Sequence, residues 1–466
     1  MTEGKRNSPA SLYVVDLFAG CGGLSEGFKQ AGFEILAQVE MDKWACQTLI
    51  TRHIYYELRK IRKNRAYKNY LKGNISQEEI LSENPSIQEL VRHRVIRAQF
   101  GKEKTDDILN KIEESARIHG ASRCHVLLGG PPCQPYSLIG RSRDPFRMSN
   151  DERHFLYTYY LEILERLQPD FFVYENVPGL FTAKAKEKDV FRKILSDFSS
   201  LHPAYEITPP LIEVSDDPGS YVLNAADFHV PQSRKRLVLI GYRKPLESKN
   251  PEIRSLFTLL QKKGIRNRGK GHLTVEDAIS DLPSLRPGEG NDGWFGFYVQ
   301  SDTVKNYQMR MRQGSAGVSN HRARTHMAAD LRRYRFFIEH QRNGNGAANL
   351  IDLMNERPDL TPEHRTKDKF LDRFKVQWWS KPASTITAHI CKDGHYYIHP
   401  DIDQCRSFTV REAARCQSFP DNFKFEGPRT EQFKQVGNAV PPMLAFAIAR
   451  VLITELRKIY DGQNFE

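Results

Sequence analysis

Apolar runs and amphipathic stretches alternate through the first half of the chain. "SLYVVDLF" (11–18) reads as a short buried strand, "LSEGFKQA" as a turn or two of helix, "EILAQVE" (34–40) as a second strand and "DKWACQTLITRH" as the helix after it. The pattern returns with a strand in "HVLLGG" (125–130), a helix through "RHFLYTYYLEILERLQ" (153–168), the strand "FFVYENV" (171–177), a helix in "DVFRKILSDFSSL" and the strand "RLVLIGYR" (236–243). Strands alternating with helices predict an α/β fold built on a doubly wound, mostly parallel sheet.

From about residue 245 the alternation gives way to a segment rich in Gly, Asn, Arg and aromatics, including "PGEGNDGWFGF" and "QRNGNGAAN". It is expected to be an inserted domain, because "QVGNAVPPMLAFAIARVLITELRKIY" returns to an ordered loop and a helix. The predicted organisation is a catalytic domain over 1–245, a second domain over 246–424 and a segment over 425–466 that completes the first. A charged, mainly helical insertion at 54–105 has no role legible in the sequence.

With 466 residues, 39% of them hydrophobic, the chain can bury a sizeable core. "MTEGKRNSPA" has no signal-peptide core, and the late run "MLAFAIARVLITEL" is short and broken by Arg450, so a cytoplasmic protein without a membrane role is expected. The seven cysteines are scattered and form no CxxC pair, which predicts reduced thiols and no metal site. Charge adds a partner. The 69 Lys and Arg exceed the 57 Asp and Glu by 12, and the excess is clustered. Eight basic residues face one acid between Arg52 and Lys72, a second cluster lies in "QKKGIRNRGKGH" (261–272), and in 309–335 the only acid is Asp330. Any one run can be a solvated helix face; three together favour a polyanion.

Candidate chemistry sits at strand ends. In "DLFAGCGGLSEGF", Gly20, Gly22 and Gly23 allow a tight turn and close approach to a ligand, and Phe18 is placed to lie against an adenine or methionine portion. Glu40 ends the second strand, where an acid can bond ribose hydroxyls. A dinucleotide shares these features, although its G-x-G-x-x-G pattern would need glycine or alanine at Ser25; S-adenosylmethionine is at least as good a candidate. In "GGPPCQPYS", two prolines hold the backbone before Cys133 extended and stiff, so the thiol is presented rather than buried. "ENVPG" puts Glu175 and Asn176 at the end of the next strand, so a nucleophile and a carboxylic acid would share one crevice. Arg234 and Arg236 in "QSRKR" alternate onto one face ahead of a strand. Singly, each has a plain structural alternative: an inert thiol, a loop acid, a solvated edge.

Taken together, "DLFAGCGGLSEGF", "GGPPCQPYS", "ENVPG", "AADFHVPQSRKRLVLIG", "KPASTITA", "VREAARCQSFPDNF" and "QVGNAVPP", in this order, closely resemble the DNA cytosine-5 methyltransferases. The resemblance covers residues 12–53, about 125–243 and 376–456, and the long segment before "KPASTI" falls where that family keeps its target recognition domain. It implies a Rossmann-like, S-adenosylmethionine-dependent enzyme that methylates carbon 5 of a cytosine flipped out of double-stranded DNA, within restriction-modification or phage defence. Cys133 would add to carbon 6, Glu175 would protonate ring nitrogen 3, and Arg236 with Arg234 would hold the base. Phe18, Gly20, Cys21, Gly22, Gly23, Leu24, Glu40, Met41, Pro132, Asn438 and Ala439 would form the cofactor site.

The resemblance also implies a monomer, with a cognate restriction endonuclease or defence proteins as possible partners. An RNA-directed relative would share the motifs but is expected to have a shorter recognition segment, and a non-catalytic relative would not need an intact Cys133. Two positions depart from the family. An acidic motif that meets the adenine has only Asn74 in "LKGNIS" as a counterpart, which leaves that contact unassigned. Lys381 replaces the usual arginine in "KPASTI", at the loss of a bidentate fork.

Overall fold

The computed structural model describes residues 11–132, 156–182, 184–185, 188–210, 218–246, 271–290, 296–300, 303–315, 317–344, 346–362 and 371–461. The first part of the chain gives β1 (Tyr13–Leu17), α1 (Gly23–Ala31), β2 (Glu34–Glu40), α2 (Lys43–Lys60), α3 (Asn64–Leu71), α4 (Gln77–Ser82), α5 (Pro85–Arg94), β3 (Val95–Arg97), α6 (Thr105–Ile118) and β4 (Val126–Gly129). There follow α7 (Leu156–Leu167), β5 (Phe171–Asn176), a two-stranded ribbon of β6 (Lys184–Ala185) and β7 (Lys188–Asp189), α8 (Val190–Ser199), β8 (Tyr205–Thr208), β9 (Val222–Asn224) and β10 (Lys235–Arg243).

The main sheet runs β3-β2-β1-β4-β5-β10-β8, with β9 paired to β10. Strands β1 to β5 are parallel where they neighbour; β10 is antiparallel to β5, β8 and β9. The strand at 236–243 therefore closes a mostly parallel sheet with an antiparallel edge. From β1 the chain winds outward through β2 and β3, then returns to β4 and winds the other way. The switch lies between β1 and β4, where the strand carboxyl ends leave a crevice.

Burial explains why the pattern was readable. Val14, Val126 and Leu128 point to one core and Val15, Leu17 and Leu127 to the other, so strands covered on both faces read as continuous apolar runs. The 54–105 segment is helical as expected except for β3, an edge strand of three residues too short to show a period. It has its own small core of Ile54, Leu58, Tyr67, Tyr70 and Ile80.

After β10 come α9 (Val275–Ile279), α10 (Asn306–Arg312), α11 (Ala328–Arg342), α12 (Leu350–Glu356), α13 (Val410–Cys416), α14 (Arg429–Asn438) and α15 (Pro442–Asp461). Val275, Ile279, Tyr307, Met311, Ala383 and Phe408 share one core with the sheet, whereas Tyr334, Phe337, Leu353 and Phe374 form a separate cluster. The motif "VREAARCQSFPDNF" is a buried charge lattice. Arg415 pairs with Asp421 and Asp281, Arg406 holds the Glu412 carboxyl well below its usual range, and Arg411 donates to the carbonyls of Ser319 and Phe423. "QVGN" is not a loop: it is the end of α14, and Pro441 and Pro442 turn the chain into α15. At Gly27 of α1, a side chain would strike the backbone of α15, so the glycine sets how closely these helices cross.

Candidate active site

The glycine loop occupies the carboxyl end of β1. Phe18, Gly20 and Gly22 all have positive φ (55°, 54° and 86°), and Gly22 caps α1. A Cβ at Gly20 would meet open space, whereas one at Gly22 would press on Leu49 and one at Gly23 on the Val440 carbonyl. Gly20 thus faces the crevice, and the other two glycines let the loop turn and dock against the C-terminal segment. Cys21 and Leu24, expected in the cofactor site, are packed in the core, 1% and 5% exposed, and Cys21 Sγ lies 3.6 Å from the Gln435 carbonyl. Leu24 lies on the buried side of α1, and Cys21 precedes the helix in the same core. Burial pushes the Cys21 thiol far up, so it is inert.

Glu40 ends β2 as expected and is held on three sides: its carboxylate accepts the backbone N–H groups of Gly20 (2.8 Å), Met41 (2.9 Å) and Asp42 (2.8 Å). Burial raises its pKa, and these three donors oppose the rise. Met41 beside it is exposed. Phe18 packs on Phe100 with ring centroids 4.6 Å apart. Phe100 follows β3, so the turn after the third strand that reaches this site is Ala98–Phe100. Asn74 instead lies in the turn between α3 and α4. The sequence missed Phe100 because β3 left no periodic signal.

The second half of the site is at β4 and β5. Gly129 pairs with Tyr174, and the chain leaves β4 through Gly130, Pro131 and Pro132 alongside Glu175. A Cβ on Gly130 would lie 2.9 Å from Glu175 Oε2, so only glycine gives the carboxyl that space. Asn176 is buried and donates to the Pro131 carbonyl at 3.4 Å, tying the proline pair to β5. Cys133 lies outside the described residues, one position past the exposed Pro132.

The two arginines of "QSRKR" separate. Arg236 Nε donates to Glu175 Oε1 at 2.9 Å across the β5–β10 pairing, with both side chains mostly buried. Arg234 is 1% exposed, and its guanidinium donates to the carbonyls of Ile386 and Gly437 (3.1 Å to the latter). The alternation onto one face expected for them does not hold, since Arg234 precedes β10. It joins the sheet to "KPASTITA" and to the end of α14. Within the same junction, Gln232 receives the Ile386 N–H and donates to the Cys416 carbonyl. Lys381 lies over the Trp378 ring at 4.4 Å.

Asn438 is exposed at the end of α14 and Ala439 is buried beside Gly23. Gln435 fixes this segment, accepting from Thr48 at 2.6 Å and donating to the Glu426 carbonyl at 2.9 Å. An open glycine, a ring and an anchored acid at one side of the switch point thus adjoin an acid–arginine pair at the other. The first set suits a ribose-bearing cofactor and the second a polar heterocycle.

The C-5 cytosine-specific DNA methylase family matches residues 12–77 and 92–454. The chain is 40% identical to Type II methyltransferase M.Bpa9945I of Bacillus paralicheniformis, over 95% of this chain and 98% of that one. It is 30% identical to Type II methyltransferase M.DdeI of Desulfomicrobium norvegicum, over 94% and 88%. In fold it is similar to a crystal structure of a DNA modification methyltransferase encoded within an E. coli prophage, with a TM-score of 0.61, 21% identity and coverage of 96% and 100%.

Proposed function

The chain belongs to the C-5 cytosine-specific DNA methylase family and is a DNA cytosine-5 methyltransferase of the restriction-modification type, and from that premise we propose how its residues divide the work. The observation that carries the reading is the Glu175–Arg236 pair at 2.9 Å, beside the Gly130–Pro132 segment that leads to Cys133.

Cytosine carbon 5 is a poor nucleophile inside an aromatic ring, and neither it nor carbon 6 is reachable in a stacked duplex, so the base must leave the helix. The Cys133 sulfur, having lost its proton, forms a bond to carbon 6. Glu175 hydrogen-bonds nitrogen 3 and passes a proton to it as negative charge builds. Arg236 orients the carboxyl and stabilises the carboxylate left behind, which lowers the cost of that transfer. Carbon 5, now electron-rich, takes the methyl group; its proton then leaves to solvent, the Cys133 thiolate is eliminated, and nitrogen 3 returns its proton to Glu175. Arg234 acts as a positioning residue that holds the floor of the site together.

The cofactor S-adenosylmethionine supplies, when bound, a methyl group on a positively charged sulfur. Glu40 fits it: three backbone donors fix the carboxylate, and its remaining acceptor capacity suits ribose hydroxyls. Gly20 leaves room for close approach, Phe18 and Phe100 offer an apolar wall, and Met41, Pro132 and Asn438 border the opening. Gly22, Gly23, Leu24, Cys21 and Ala439 shape the loop from behind. The protein works as a cytoplasmic monomer whose methylation shields one short DNA sequence from a cognate endonuclease.

The test is conversion sequencing of a methylation-free bacterial genome after expression of this protein or its Cys133→Ser variant. Methylcytosine in one short context, absent with the variant, is the expected result; equal methylation by the variant would overturn the role of Cys133. Duplexes carrying 5-fluorocytosine at the site should trap a covalent adduct, because the carbon 5 substituent can no longer leave.

A further inference from the structure

The basic run from Arg52 to Lys72 divides sharply in the fold. Arg52 is buried, paired with Glu26 at 2.6 Å and bonded to Asn422. Lys60 pairs with Glu34 and Glu57, Lys63 donates to Asn84, and Arg59 donates to the Tyr55 hydroxyl. Arg62, Arg65, Lys68 and Lys72 are exposed, and among the described residues their side chains make no hydrogen bond or ion pair. Arg65, Lys68 and Lys72 stand at i, i+3 and i+7, within one face of α3 and its cap.

The opposite face of α3 is anchored. Tyr67, Tyr70 and Leu71 are buried, Tyr67 donates to the Asn422 carbonyl at 2.8 Å, and Tyr70 bonds Glu426 at 2.5 Å. The row is therefore held rigidly, and its charges are not consumed by folding. Helix α2 starts beside Glu40 at the crevice, and α3 runs back along it: Tyr70 lies against Thr51, nine residues and so roughly 14 Å along α2 from the Asp42 cap. From Arg65 to Lys72 the row spans about 10 Å, the rise of about three base pairs.

We propose that the exposed face of α3, formed by Arg65, Lys68 and Lys72 with Arg62 beyond it, is a second DNA-contacting surface that binds backbone phosphates of the duplex outside the recognition sequence. This rests on the reading that double-stranded DNA is the substrate. The role proposed for the face is affinity and approach to the site rather than sequence choice. It also gives the 54–105 segment a function separate from the chemistry.

The test compares the full-length protein with a triple variant, Arg65→Gln, Lys68→Gln and Lys72→Gln, on duplexes carrying the sequence found by conversion sequencing. One duplex ends within a few base pairs of the site and the other extends two helical turns beyond it on either side. On the long duplex, losing three phosphate contacts should flatten the salt dependence, so that over a fourfold rise in salt the unaltered protein loses about 40-fold more affinity than the variant. On the short duplex the two should bind alike and methylate at the same single-turnover rate. Charge-retaining Arg65→Lys should keep the original slope. Parallel salt dependences on the long duplex, with both proteins active, would overturn the proposal. An unaltered protein that methylates no DNA would instead overturn the reading beneath it.

Discussion

Glu175 and Arg236 meet at 2.9 Å because β10 runs antiparallel to β5, with Val238 opposite Glu175 and Leu237 opposite Asn176. An acid that must give up a proton and a cation that favours the resulting carboxylate are thereby fixed by sheet register. Glu175→Gln keeps the shape of the side chain but has no acidic proton to transfer, and single-turnover methylation should fall by about 100-fold to 10,000-fold. Arg236→Ala should lower the rate in the same direction, and the double variant should lose less than the product of the two. Fully multiplicative losses would mean the residues act independently.

Gly130→Ala tests the space behind that acid. The added Cβ would press closely only on the far end of Glu175, 2.9 Å away, so the fold can yield by moving the carboxyl. A shift of about 1 Å in a reacting group can cost about 100-fold in rate, and kcat should fall on that scale while DNA and cofactor affinities stay near normal. Unchanged kcat would show that the carboxyl has other acceptable positions.

Arg234 should behave unlike Arg236. Arg234→Met removes a buried cation from the Ile386 and Gly437 carbonyls, which should destabilise the protein by about 3 kcal/mol in denaturant unfolding. A large loss of rate in a fully stable Arg234→Met protein would return Arg234 to the chemistry.

Asp16 offers a prediction in pH. It is buried in β1, Oδ2 has no hydrogen-bond partner among the described residues, and burial raises its pKa to about 7 despite donors from Ser25, with nearby Glu40 adding to the rise. The folded protein therefore holds this proton well above the ordinary carboxyl range. Stability from this group is full below about pH 4 and is lost as pH rises to about 7, by up to roughly 4 kcal/mol. Asp16→Asn should flatten this part of the stability–pH curve; an unchanged curve would place the titration elsewhere.

The α/β class, the order of β1, β2, β4, β5 and β10, and the family were all legible in the sequence. Strands buried on both faces must be apolar throughout, and residues that chemistry requires at fixed offsets leave short, ordered motifs. The places of Gly20, Glu40 and Glu175 were legible for that reason, each at the end of a readable strand. Tertiary structure decided what depends on partners distant in sequence. Arg234 and Arg236 look alike in "QSRKR", yet one is committed to carbonyls of residues 386 and 437 and the other to Glu175. Cys21 sits among loop residues but turns into the core, and three-residue β3 gains its strand character only from pairing with β2. The basic run at 52–72 shows the same division: sequence sets the number of charges, while packing determines which are neutralised within the fold and which remain available to a polyanion.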